Sequence, residues 1–303
     1  MRSDTPRQNV SPSLWSHFPL AGMVASEVAI TVSIELLSRR AHLSLATILV
    51  DRSLLALVLL ALIVRPSPAQ WLPRSPRLAL LRVLTGGLTF VGWFGAIAML
   101  SGRVTQAILL LDAIILAYLR GPRRVYERRT LLLLTSALIL FAAQAVREPG
   151  TVLNAPRGIV FLLIALASRA ATYKVWERAQ SKHEHLFWLI APALVGAALG
   201  GFFLSLSSHS PLQALSPALW GAMLLAAIVG LTGYFYMNTV MALLGAFYTR
   251  VVELWQVPVL WAIHLLTDRT QLDPVQGVLG VLVAGASAYT YLQHRRAQAD
   301  LSD

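Results

Sequence analysis

Ten residues carry polar or aromatic chemistry into stretches of this chain that are otherwise apolar, and their spacing indicates what kind. Glu27, Thr31 and Glu35 fall at i, i+4 and i+8, so on a helix they form one polar stripe. A charge at bilayer depth costs at least ~2.5–3.5 kcal/mol on insertion scales, so such a group faces a partner or a water-filled cavity. Glu27 is therefore either a cavity carboxylate, able to exchange a proton or attract a cation, or the partner of a buried arginine. Glu35, close to Arg39 and Arg40, reads as a structural pair at the membrane face. Arg52, beside Asp51, is a candidate bridge to Glu27, a snorkelling structural arginine, or an anchor for a substrate carboxylate through its planar fork.

Arg169, Tyr173 and Glu177 make a second stripe on another run. A glutamate on one wall and Arg169 on the other would suit a zwitterion such as an amino acid. A direct Glu27–Arg169 bridge would leave the same trace in sequence. Thr249, Glu253, Gln256, Leu260 and His264 share one face of a further run, with Arg250 able to reach Glu253 at i+3. Asp112 has no basic residue within reach on its own helix, so it must be neutralised or open to a cavity. Trp93 and Tyr234 lie deep in their runs, and Tyr234 shares a face with Asn238, so packing or stacking on a substrate is open to them. The expected substrate-binding set is Glu27, Arg52, Trp93, Asp112, Arg169, Tyr173, Tyr234, Asn238, Glu253 and Gln256. His183 and His185, flanking Glu184, read as a solvated loop and not a metal site, and no cofactor is expected.

The elements that hold these residues are set by composition. The chain is 56% hydrophobic and 13% charged, with mean hydropathy +0.65. Soluble domains carry about 25% charged residues, so this is an integral membrane protein. Continuous apolar runs without period-two alternation exclude a barrel and leave helices, the only other way to satisfy backbone groups in lipid. Ten spans are expected, near 18–37, 45–64, 78–100, 105–119, 130–147, 158–176, 186–206, 218–240, 246–266 and 274–293. The fourth is short. Pro-containing turns after Arg65, Arg120, Arg147 and Ser210, and at Asp273, fall between the runs.

Net charge is +11, carried mainly by arginines that cluster between runs and form no aromatic-interleaved basic face. This argues for membrane orientation and against nucleic acid. With the first run kept as an anchor and the N-terminus inside, fourteen Lys and Arg lie on the cytoplasmic side against six outside. Both termini are then cytoplasmic, in the cell (inner) membrane. Phosphate-cradling and hydrolase signatures such as GxxxxGK, HExxH, GxSxG and GxGxxG are missing, which argues against an enzyme or an ATP-driven pump carried by this chain alone.

The expected domains are a tail at 1–17, five helices at 18–147, five at 158–293, and a tail at 294–303. A half with an odd number of crossings inserts its copy upside down, giving inverted repeats around a midplane site. At an offset of 144, Leu100 falls on Leu244, Thr105 on Thr249, Gln106 on Arg250 and Asp112 on Gln256. With the short fourth span, the stretch Tyr126-Glu127-Arg128-Arg129-Thr130, Pro258 in the ninth span, the small residues Gly277, Gly280 and Gly285 in the last, and Arg52 in the second, the chain resembles the drug/metabolite transporter superfamily in its EamA-type branch. It departs from that pattern at Ile114, where members usually have proline.

The resemblance implies a secondary transporter or exporter of small metabolites with a central cavity. An amino acid or related compound is the expected substrate, with proton coupling through Glu27 or Asp112. An integral membrane enzyme acting on lipid, or a non-transporting scaffold, would be the alternatives. Gly196 and Gly200, spaced as GxxxG, suggest a homodimer seam.

Overall fold

The structure, a computed structural model, describes residues 18–120, 125–147, 156–208, 211–268 and 274–299. Both predicted tails and the 148–155 linker lie outside them, apart from residues 294–299. The described residues form helices and no strands. Helix α1 is Phe18–Glu35, continued by a π-helical turn Leu36–Arg40; α2 is Leu45–Val64 and α3 Pro76–Leu100. Next come α4 (Gly102–Ile108), α5 (Leu110–Arg120), α6 (Val125–Arg147), α7 (Pro156–Ser181) and α8 (Leu186–Ser207). Then follow α9 (Pro217–Glu253), α10 (Gln256–Asp268) and α11 (Pro274–Ala299).

Local chemistry sets these ends. Pro76, Pro156, Pro217 and Pro274 each occupy the first turn of a helix, where a missing N–H costs nothing. Ser44 and Ser216 cap α2 and α9 by accepting from Thr47 N (3.1 Å) and Leu219 N (3.3 Å). Glu184, on the loop after α7, accepts from the backbone N–H groups of Arg74 and Ser75 and so closes the start of α3. Arg65 ends α2 in the left-handed conformation (φ 45°, ψ 60°), as the Arg65-Pro-Ser-Pro stretch suggested.

Six stretches among the described residues are long and apolar enough to cross a membrane. The last of them, Pro217–Ile263, is not one rod. Its 47 residues would reach about 70 Å as a straight helix, more than twice a hydrocarbon core. The chain turns at Gly245, whose φ of 78° and ψ of 170° no other residue type adopts easily, so α9 is two arms, 217–244 and 246–253. Ser101, at φ 98° and ψ 157°, makes a similar turn between α3 and α4.

Two expected single helices are interrupted. The 105–119 run breaks at Leu109 between α4 and α5. The 246–266 run breaks at Leu254–Trp255, so no unbroken face runs from Thr249 to His264, whose side chain lies outside the described residues. Such breaks free backbone groups and are tolerated at membrane depth only where protein re-satisfies them.

The burial pattern is that of a soluble protein turned inside out. Leu54, Val58 and Leu62 stand exposed along α2, and Leu80, Leu84 and Leu88 along α3. Arg52, Arg82, Arg169, Arg250, Asp112 and Glu253 are all buried. Helix α3 packs on α7 and α8, α1 on α9, α2 on α8 and α9, and α6 on α11. With contacts between α1 and α3 and between α7 and α9, four helices close a ring around the interior.

Glycines permit the tightest of these approaches. A β-carbon at Gly87 would lie 2.6 Å from the Gly196 carbonyl carbon, and one at Gly196 would fall on the Val83 carbonyl oxygen. The Gly196/Gly200 stripe is thus filled from within the chain, by α3, and does not form a free dimer seam. Gly196→Val is expected to destabilise the protein by about 1–3 kcal/mol or more through overpacking. Gly221→Val, with nothing within 4 Å, should leave the melting temperature in detergent unchanged.

Candidate functional site

Three carboxylates and two arginines meet where the two broken helices come together. Arg169, from α7, hydrogen-bonds Glu253 and lies 3.3 Å from Asp112 and 3.9 Å from Glu27. Arg250 donates from Nε to Asp112 Oδ1 at 2.5 Å and from Nη2 to the Leu109 carbonyl at 3.1 Å; its Nη1 is 3.3 Å from Glu253. Tyr173 donates its hydroxyl to Glu253. The Leu109 carbonyl lies at the break between α4 and α5, where it accepts from both the Asp112 N–H and Arg250, each at 3.1 Å.

Asp112 has no basic residue within reach on its own helix and is not open to the cavity; two arginines from other helices neutralise it. Neither is on its own helix, and one-helix spacing cannot see partners on α7 and α9. The i+3 pair Arg250–Glu253 is present as expected, and Glu27 and Arg169 face each other across the ring.

Beside this network lies a cavity of about 50 Å³, room for a few waters. Its walls include Ser26, Glu27 and Ile30 from α1, Arg52 from α2, and Thr89, Phe90 and Trp93 from α3. Arg169, Thr172, Tyr173 and Trp176 come from α7, and Gly230, Gly233, Tyr234 and Met237 from α9. Six of the ten expected residues therefore line one hollow: Glu27, Arg52, Trp93, Arg169, Tyr173 and Tyr234. Asp112 and Glu253 are not in the wall but are held through Arg169. Asn238 also lies off the wall, where it accepts from Trp176 Nε1 (3.2 Å) and Gln180 Nε2 (2.6 Å) and fixes the Trp176 ring. Gln256 is buried just after the second helix break and does not reach the cavity.

The remaining wall is aromatic and hydroxylic. Thr89 Oγ1 lies 3.0 Å from Thr172 Oγ1 and 3.2 Å from Ser168 Oγ, stitching α3 to α7. Phe90 meets Tyr234 edge-on (centroids 6.1 Å apart), and Tyr234 meets Trp176 (5.4 Å). Sequence reasoning missed Arg82, which is fully buried with its guanidinium 4.4 Å from the centre of the Trp176 ring. The signal was available, since an arginine several residues inside an apolar run is as informative as Glu27.

Asp112→Ala leaves Arg169 and Arg250 short of a counter-charge and is expected to cost roughly 3–5 kcal/mol of stability. Adding Arg250→Ala should recover a large part of that loss, since the two residues act as a unit. Melting curves of the single and double variants in detergent measure the coupling, and strictly additive losses would mean the contact carries none.

No family model matches this chain, and no curated protein is similar to it. Among solved structures, one described only as a crystal structure of a protein superposes with a TM-score of 0.64. It is 14% identical, over 93% of this chain and 99% of that one. The likeness shows a shared fold across nearly the whole of both chains.

Proposed function

We propose that this chain is a secondary transporter of the cell membrane. It would export a small metabolite, such as an amino acid or a related compound, by alternating access between two inverted five-helix halves. EamA-type membership, ten spans and cytoplasmic termini belong to the same proposal. The observation that carries it is a correspondence between the halves at the cavity itself. At an offset of 144, Thr89, Phe90 and Trp93 fall on Gly233, Tyr234 and Met237, all of them wall residues. At an offset of 142, Glu27 and Ile30 fall on Arg169 and Thr172, again wall residues. Composition alone would not align two sets of cavity residues with nearly one register.

The helix ends support the same pairing. Ser101 and Gly245, both at positive φ, are 144 residues apart. Glu35 accepts from Gly102 N at 3.3 Å, and Glu177, 142 residues later, accepts from Ala246 N at 3.2 Å. Each carboxylate caps a short broken helix, and in a five-crossing half the two caps would lie at opposite membrane faces. The packing follows as well, since α1 on α9 is matched by α7 on α3, and α2 on α9 by α8 on α3. A midplane site between such halves, built at discontinuous helices, is the arrangement alternating access needs.

The chain has no cysteine, so a single introduced thiol reports cleanly. Thr172→Cys, in the cavity wall, is expected to react with a membrane-impermeant maleimide in both right-side-out and inside-out vesicles. Labelling from neither face, or from one face only, would count against alternating access. Proton coupling is assigned to Glu27, because Asp112 is committed to two arginines. Glu27→Gln should then abolish flux of a radiolabelled amino-acid mixture driven by a pH gradient in proteoliposomes, and undiminished flux would remove the coupling.

A further inference from the structure

Two buried guanidinium groups, Arg52 in the cavity wall and Arg82 against the wall residue Trp176, are held in place without being used. Arg52 is 1% exposed, yet its Nε and Nη1 have no hydrogen-bond partner. Phe90 and Phe94 set its position instead, with ring centres 5.4 and 5.1 Å from its central carbon. Helix α9 makes the room, because a β-carbon at Gly230 would fall on Arg52 Nη2. Arg82 repeats the arrangement closer to the start of α3: it is fully buried, none of its three nitrogens is hydrogen-bonded, and it rests on Trp176. Cation–π contact fixes a guanidinium while leaving its N–H groups free, and buried donors left unmatched are costly. A buried, oriented and unspent fork has the form of an anion receptor.

Two of the three nearby carboxylates do not compete for it, and the third, Glu27, divides its attraction between Arg169 and Arg52. Asp112 and Glu253 are taken up by Arg169, Arg250 and Tyr173, and Glu27 faces Arg169. Around the cavity and the ion network, four buried arginines (Arg52, Arg82, Arg169, Arg250) stand against three buried carboxylates (Glu27, Asp112, Glu253), a local excess of one positive charge. The other buried carboxylates among the described residues, Glu127 and Glu184, are engaged elsewhere, by Tyr248 and by the start of α3. That excess falls where the donors are free. Elsewhere the wall offers flat and apolar surface from Phe90, Trp93, Trp176, Tyr234 and Met237.

We propose that the cavity, on widening beyond its present volume of about 50 Å³, takes an organic monocarboxylate with a flat apolar body, its carboxylate held by Arg52 and its body against these rings, with no ammonium group required. Arg82, behind the Trp176 ring, keeps that wall positive. The inference rests on the transporter reading only in treating the ligand as cargo.

The test is binding to the purified full chain in detergent by calorimetric titration, with three ligands that share one ring. Phenylacetate, phenethylamine and phenylalanine carry the anion, the cation and the zwitterion. Phenylacetate is expected to bind, phenethylamine not to bind, and phenylalanine to bind no more tightly than phenylacetate. Binding of phenylalanine or phenethylamine without phenylacetate, or no phenylacetate binding at millimolar concentration, overturns the proposal.

Gly230→Ala displaces the fork while keeping its charge, and should weaken phenylacetate by about tenfold or more, the loss of one charge-assisted hydrogen bond. Arg52→Gln should abolish binding; if that variant does not fold, Gly230→Ala and the ligand series decide. Unchanged phenylacetate affinity in a folded Gly230→Ala or Arg52→Gln protein also overturns the proposal. Loss of the phenylacetate response with two-face labelling of Thr172→Cys intact removes the anion site and leaves transport standing. Phenylacetate binding without two-face labelling does the reverse.

Discussion

Three carboxylates and two arginines share one dry volume, and each is tolerable only because of the others. Arg169 touches Glu27, Asp112 and Glu253; Arg250 touches Asp112, Glu253 and the Leu109 carbonyl at the break between α4 and α5. The desolvation cost of such ions is repaid only when geometry is good and the remaining donors and acceptors are met. This network draws on α1, α5, α7 and the short arm of α9 after Gly245, so it ties together elements far apart in sequence. The α4–α5 break and the ion cluster meet at Leu109, whose carbonyl accepts from the Asp112 N–H and from Arg250 together.

Lipid supplies little force to press helices together, so the rest of the structure depends on close contact. Gly86, Gly87 and Gly92 on α3 meet Ala193, Gly196 and Ala165 on α8 and α7 at distances that exclude a β-carbon. The hydroxyls of Thr89, Thr172 and Ser168 add polar contacts between α3 and α7 at the cavity's edge. Helix α3 is thereby fixed on two sides, and Phe90 and Trp93, which it carries, become rigid walls.

Much of this could be read from the amino acids, for identifiable reasons. Apolar runs and Pro-containing turns gave the helices, because lipid leaves the backbone few options and Pro fixes where a helix can begin. Glu27, Arg52, Arg169 and Tyr173 stood out because charge inside such a run is expensive. For Asp112 the choice between neutralisation and a cavity stayed open, because its partners are supplied by other helices and single-helix spacing carries no information about them. The break at Leu109 left no mark, since no proline or glycine lies near it, whereas the break at Leu254–Trp255 is marked by Pro258, which has no N–H to offer the Leu254 carbonyl. Asn238 was placed in the wall on its spacing from Tyr234, but its amide is committed to Trp176 and Gln180.

In the proposed two-half arrangement, matched positions face the same interior, and this constrains how the copies can differ. Glu27 answers Arg169, Asp112 answers Gln256, and Gln106 answers Arg250. No charged position among these three is repeated with the same sign. Like charges at ion-pair distance in a medium of low dielectric would repel by several kcal/mol, of order 4 at an effective dielectric of 20. A pair of identical halves could therefore keep its glycines, its aromatic wall and its helix caps, as Gly86 with Gly230, Phe90 with Tyr234 and Glu35 with Glu177 do. It could not keep a repeated charge at the centre. The caps would escape this rule because inverted halves place them at opposite membrane faces, whereas Glu27 and Arg169 are 3.9 Å apart. In that arrangement symmetry would be retained in the scaffold and broken where charge must balance, and the two arginines whose donors stay unmatched are Arg52 and Arg82.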